Sequence, residues 1–141
     1  MQYFPINIRC ADANIAVIGG DADMVAKIRL LLKTDAHITV FAEQVESDIR
    51  AWHAAGKLTH CPRVPDVYDL TAVRLAYVSG ADTAIRDAAM PLLDQCNIPF
   101  CVIDDLARSR FITPAIVDLD YLDDFLGGPD AISYIIVPEL V

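Results

Sequence analysis

The stretch Asn14-Ile-Ala-Val-Ile-Gly-Gly-Asp-Ala-Asp-Met-Val-Ala-Lys-Ile-Arg-Leu-Leu-Leu32 constrains this chain more than any other. Residues 15–18 are apolar without alternation, which suits a strand covered on both faces of its sheet. Two glycines follow, and then Met24, Ile28, Leu31 and Leu32 recur along one face of a helix. Buried strand, glycine turn and amphipathic helix make the opening unit of a parallel α/β sheet. Such a turn, running into a helix N-terminus, is a seat for a phosphate.

The same alternation continues. Strands are expected at 37–42, 58–64, 75–78 and 99–103, and helices at 45–55 and 81–96, with Gly56 ending the first and Pro91 bending or ending part of the second. Apolar strands separated by helices, joined by right-handed crossovers, predict a doubly wound, Rossmann-like parallel sheet. An acidic segment at 118–130 reads as a linker or the lead-in to a hairpin, and 131–137 reads as a last short strand extending the domain at its C-terminal end.

In a working dinucleotide turn three positions need small residues: one for the bend, one for close approach of the pyrophosphate and one for helix-on-strand packing. Here they are Gly19, Asp21 and Met24. The expected cofactor is a dinucleotide, held by Gly19, Gly20, Asp21 and Ala22. Asp21 works against it, because two like charges about 4 Å apart repel by about 4 kcal/mol at an effective dielectric of 20. Alternatively, Asp21 or Asp23 caps the helix itself, contributing about 1 kcal/mol.

With 141 residues and a formal charge of −9, the chain is long enough for one domain and unsuited to nucleic acid or anionic membrane. Its apolar runs are too short to span a bilayer and its first residues lack a signal-peptide pattern, so a soluble, cytoplasmic protein is expected. Cys10, Cys61, Cys96 and Cys101 show no zinc or disulfide spacing and read as buried small hydrophobes. His37, His53 and His60 share no ligand spacing, and no metal site is expected from them.

Three blocks resemble the N-terminal module of siroheme synthase, the precorrin-2 dehydrogenase and chelatase family. Tyr3-Phe-Pro-Ile-Asn-Ile8 is similar to its leader, and Val17-Ile-Gly-Gly20 with Lys27-Ile28 and Leu30-Leu-Leu32 to its turn and helix. The most specific block is Val102-Ile-Asp-Asp105 followed by Phe111-Ile-Thr-Pro-Ala-Ile-Val-Asp118. The resemblance implies NAD-dependent oxidation of precorrin-2 to sirohydrochlorin, with iron insertion as a further activity. It implies Asp104 as the base, at the carboxyl end of a parallel strand where such sheets bind ligands. Arg108 and Arg110 are candidates to hold the carboxylates of a tetrapyrrole substrate.

The chain also departs from that pattern. Asp21 replaces a turn glycine, Ala26 an arginine, and Leu119 the arginine after Asp118; Gly80-Ala-Asp-Thr-Ala-Ile-Arg86 stands where the family has a Thr-Asp-Asp run leading to an Asn. Ile135-Ile-Val-Pro138 replaces a glycine-rich strand end, and the family's C-terminal helical part has no counterpart. The expected organisation is a nucleotide-binding domain at 1–118 and a short dimerisation-type tail at 119–141. A homodimer is expected, because the last strand would otherwise be an exposed edge. The alternative is a non-catalytic module that has lost NAD and binds a tetrapyrrole or a protein partner.

Overall fold

A computed structural model describes residues 1–118 and 134–137, with 115–118 and 134–137 described as backbone. Its order is β1 (Asn14–Ile18), α1 (Ala22–Leu31), β2 (His37–Phe41), α2 (Ser47–Ala54), β3 (Thr59–Cys61), β4 (Val73–Val78), α3 (Thr83–Gln95) and β5 (Phe100–Val102). A 3₁₀ turn (Leu106–Arg108) and two further strands, β6 (Ala115–Asp118) and β7 (Tyr134–Val137), follow. Clustering of the chain's contacts divides it into two units, Met1–Phe111 and Ile112–Val141.

Strands β1 to β5 form one parallel sheet in the order β3-β2-β1-β4-β5, the doubly wound arrangement expected from the apolar runs. The chain reverses direction across the sheet between β1 and β4, so ligands of this architecture bind beyond the carboxyl ends of those strands. Ile15, Ile18, Met24, Ile28, Leu93 and Phe100 are among its largest fully buried side chains. Burying each such side chain contributes about 1.5–3 kcal/mol.

Several elements differ from expectation for identifiable reasons. Helix α1 buries Val25 along with Met24, Ile28 and Leu31, while Leu32 is half-buried past the helix end. Strand β3 is shorter than 58–64 because Pro62 cannot donate to a ladder and Arg63 N donates to Cys61 O in a turn at 2.8 Å. The β3–β4 crossover at 62–72, where no helix is expected, is pinned by an Arg63–Asp69 pair at 2.5 and 2.8 Å, with reciprocal Asp66 and Asp69 caps. Helix α3 continues through Pro91 rather than ending there. Pro91 lies exposed, and Ile85, Ala89 and Leu93 hold the helix on the sheet from its other face.

Only Cys101 is buried; Cys10, Cys61 and Cys96 are half-buried and packed against the core, and none of the four is in a disulfide. Strand β6 lies inside a block read as a motif rather than as a strand. It pairs antiparallel with β7, so the last strand has a partner within its own chain. The linker at 119–130 and residues 131–133 of the expected strand lie outside the described residues.

Candidate functional site

The turn after β1 is where a pyrophosphate would sit. Gly19 adopts φ +125°, a conformation open to glycine, and Gly19 N donates to Phe41 O at 2.9 Å. Both glycines are needed for packing. A Cβ on Gly19 would come within 2.5 Å of Ser79 Cβ, and one on Gly20 within 2.5 Å of Val45 Cγ1. Met24, in place of a small residue, is fully buried in the core.

Asp21 is the N-cap of α1. Its Oδ1 accepts hydrogen bonds from Asp23 N at 3.1 Å and Met24 N at 3.3 Å. Its Oδ2 accepts from the hydroxyl of Ser79, a side chain with no solvent exposure at the end of β4. Ser79 Oγ in turn accepts from Asp82 N at 3.0 Å, and Asp82 Oδ1 caps α3 through Ile85 N at 3.2 Å. Asp21, Ser79 and Asp82 thus tie together the N-termini of the two helices flanking the β1–β4 crevice. As folded, the turn does not fit a pyrophosphate: a carboxylate of the chain already occupies the helix N–H groups that would receive it. Ala22 is exposed on the first turn of α1. Sequence reasoning found the cap at Asp21 but missed Ser79, whose role depends on a contact spanning 58 residues.

The turn after β5 is arranged differently. Asp105 N bonds to Val102 O at 3.1 Å, closing a tight turn in which Asp104 takes φ +58°. Asp is among the residues that tolerate this left-handed region. Asp104 is solvent-exposed, and its carboxylate meets no hydrogen-bond or ion-pair partner among the described residues. The neighbouring Asp105 does the structural work. It caps the 3₁₀ turn through Arg108 N at 3.3 Å and pairs with Arg108 Nη1 at 2.7 Å. The Arg108 hydrogen bonds hold its carboxyl below the usual carboxylate range, with the Arg86 charge adding to the effect. The backbone behind this turn is tight as well, since a Cβ on Gly80 would come within 2.1 Å of Ile103 O.

Arg108 and Arg110 both follow this turn in sequence and both have internal partners, but Arg110 N donates to Phe100 O at 2.8 Å, which puts Arg110 beside the start of β5 rather than beside Asp104. Arg110 pairs with Asp94 at 3.0 Å, and its guanidinium lies 4.9 Å from the centre of the Phe100 ring. About half of each arginine side chain remains exposed. Two surface hollows, of about 240 and 390 Å³, lie elsewhere: one along Asn14, Thr39, Asp69 and Val73, the other along Arg29, Trp52 and Lys57. His53 and His60 meet with ring centres 6.1 Å apart, and His53 Nδ1 accepts from His60 N at 3.2 Å. No cluster of three metal-ligating side chains occurs among the described residues. No helix there is long and apolar enough to cross a membrane.

Comparison with known proteins places this geometry. Residues 6–115 match the model of a putative NAD(P)-binding family. The chain is 38% identical over 117 residues to a siroheme synthase of Gluconacetobacter diazotrophicus, a match covering 80% of this chain and 25% of that protein. A siroheme synthase of Gluconobacter oxydans is 35% identical, over 82% of this chain and 25% of that protein. The chain therefore spans about a quarter of the length of these curated relatives. Among solved structures, SirC, a precorrin-2 dehydrogenase, shares the fold with a TM-score of 0.68 at 21% identity, over 83% of this chain and 57% of that one. The chain belongs to the putative NAD(P)-binding family, in the branch represented by the siroheme synthase N-terminal domain.

Proposed function

We propose that this family member is a precorrin-2 dehydrogenase-like module of siroheme biosynthesis, oxidising precorrin-2 to sirohydrochlorin with NAD as hydride acceptor. The observation that carries the reading is Asp104, an exposed carboxylate without a partner among the described residues, at the carboxyl end of the outermost parallel strand. Oxidation of the macrocycle removes a hydride and a proton. A carboxylate free of internal partners is the group able to take that proton, and such positioned bases contribute typically 10²–10⁴-fold. The resemblance of Val102-Ile-Asp-Asp105 to the family block, and the names of the relatives, support the same assignment.

The rest of the turn supports substrate binding. Arg108, four residues after Asp104, has a half-exposed guanidinium that can exchange Asp105 for a carboxylate of a tetrapyrrole, and Arg110, beside the start of β5, is a candidate for a more distant one. Insertion of iron as a substrate also requires pyrrole protons to leave and would use the same base. A homodimer in the cytoplasm, with the two units acting as nucleotide-binding domain and dimerisation tail, is the setting this reading expects. Light scattering that shows only monomer would remove the dimer from it.

The Asp21 contacts favour a second reading, a module that binds a tetrapyrrole or a protein partner without a dinucleotide. Turnover separates the two. Purified protein supplied with precorrin-2 and NAD is expected to accumulate sirohydrochlorin, followed by its absorbance. Folded protein that produces none at millimolar NAD overturns the dehydrogenase reading and leaves the second.

A further inference from the structure

The residues of the β1–β4 crevice form a unit whose parts explain one another. Gly19 lacks a side chain where a Cβ would strike Ser79 Cβ, and that space lets the fully buried Ser79 hydroxyl reach Asp21. Ser79 also accepts from Asp82 N, so the donor and acceptor capacity of its hydroxyl is engaged on both sides. Asp21 fills the N–H groups of Asp23 and Met24 with its other oxygen. Gly20, which in an open turn would leave room above the backbone, is covered by Val45 Cγ1 and Gln44 O, each within 2.6 Å of where its Cβ would stand. The helix N–H groups of the seat are thus engaged by the chain's own carboxylate, although Gly20 and Asp21 themselves stay partly exposed.

We propose that Asp21, locked by Ser79, is a built-in competitor for the pyrophosphate of a dinucleotide and sets how weakly this chain holds one. This rests on the reading that a dinucleotide is the co-substrate, and it adds a residue that determines affinity. A dinucleotide can enter only by displacing the Asp21 carboxylate, which exchanges two backbone hydrogen bonds and the Ser79 hydroxyl for solvent. If Asp21 stayed in place, its charge would face the entering phosphates. The energetic cost is confined to the phosphates: the adenosine portion of the ligand carries no charge for Asp21 to repel.

The test is calorimetric titration of the full chain with NADH, and separately with adenosine, for wild type, Asp21→Gly and Asp21→Asn. Asp21→Gly restores the small residue and is expected to tighten NADH at least tenfold. Asp21→Asn keeps a capping side chain and a stable α1 while removing the charge, so it remains informative if the glycine variant does not fold. It is expected to tighten NADH at least threefold. Adenosine affinity is expected to be the same in all three. An unchanged NADH affinity in the variants, or an equal gain for adenosine, overturns the proposal. Precorrin-2 turnover is read in parallel: tighter NADH without turnover upholds the competitor and removes the dehydrogenase reading, whereas turnover with unchanged affinity does the reverse.

Discussion

Two turns leave the carboxyl edge of the same sheet, one after β1 and one after β5, and each carries aspartates. After β1, Asp21 is bound on both oxygens, by Asp23 N and Met24 N on one side and Ser79 on the other. After β5 the structural duty falls on the second of two adjacent aspartates, Asp105, and the first is left exposed without a partner among the described residues. One turn thus satisfies a helix N-terminus from within, and the other presents a carboxylate outward. The difference teaches that an acidic residue at a strand end is left open to solvent when another group has already met the local demand for a cap.

The sharpest way to break this contrast is Asp104→Asn. Asn tolerates the left-handed backbone as well as Asp does, so the turn is expected to hold while turnover of precorrin-2 falls about 10²–10⁴-fold. A variant with near wild-type turnover would show that the outward carboxylate is not the base. Next in size is Ser79→Ala on the closed side. It removes the donor to Asp21 and the acceptor of Asp82 N in a buried position, for an expected loss of about 1–3 kcal/mol in urea unfolding. Stability unchanged within error would mean that the crevice is not locked as described.

A smaller effect is expected from Asp105→Ala, which removes the cap and the Arg108 pair and should lower the urea midpoint slightly while exposing the turn to rearrangement. The same residue has a pH signature. Its carboxyl is depressed in the folded chain, so its contribution is present above the unfolded value of about 3.9 and is lost as pH falls through the lower folded one. Part of the acid sensitivity below about pH 4 should therefore disappear in Asp105→Ala. Unfolding midpoints at pH 7 and pH 3.5 measure it, and parallel curves for both proteins would exclude the linkage. The smallest change is Arg110→Ala, whose half-exposed pair with Asp94 contributes within about 1 kcal/mol. If Arg110 holds substrate, KM rises while thermal stability barely moves; a KM equal to wild type would remove it from the site.

Much of this was legible from residue order. Apolar runs without alternation announced the parallel strands, because a strand covered on both faces leaves no polar periodicity to misread. Alternating helices and crossover handedness then limited the sheet to the doubly wound class. Strand β6 was not legible. Ala115-Ile-Val-Asp118 is short, and what makes it a strand is pairing with residues about twenty positions later, which no local pattern encodes. The Arg63–Asp69 pair that holds the β3–β4 crossover was hidden for a related reason: pairs of this kind are common in surface sequence without forming.

For the site, the chain by itself determined which residues were candidates: the diglycine turn, Asp21 in place of a small residue, and the adjacent Asp104 and Asp105. Position at the ends of predicted strands followed from periodicity alone. Only the tertiary structure decided which carboxylates are bound and which is free. Ser79 reaches Asp21 across 58 residues because β1 and β4 are neighbours in the sheet, and Asp104 is freed because Asp105 caps the next turn. Hydrogen-bond satisfaction is a property of what surrounds a group in space, and three-dimensional neighbours are what a linear pattern of residues does not contain.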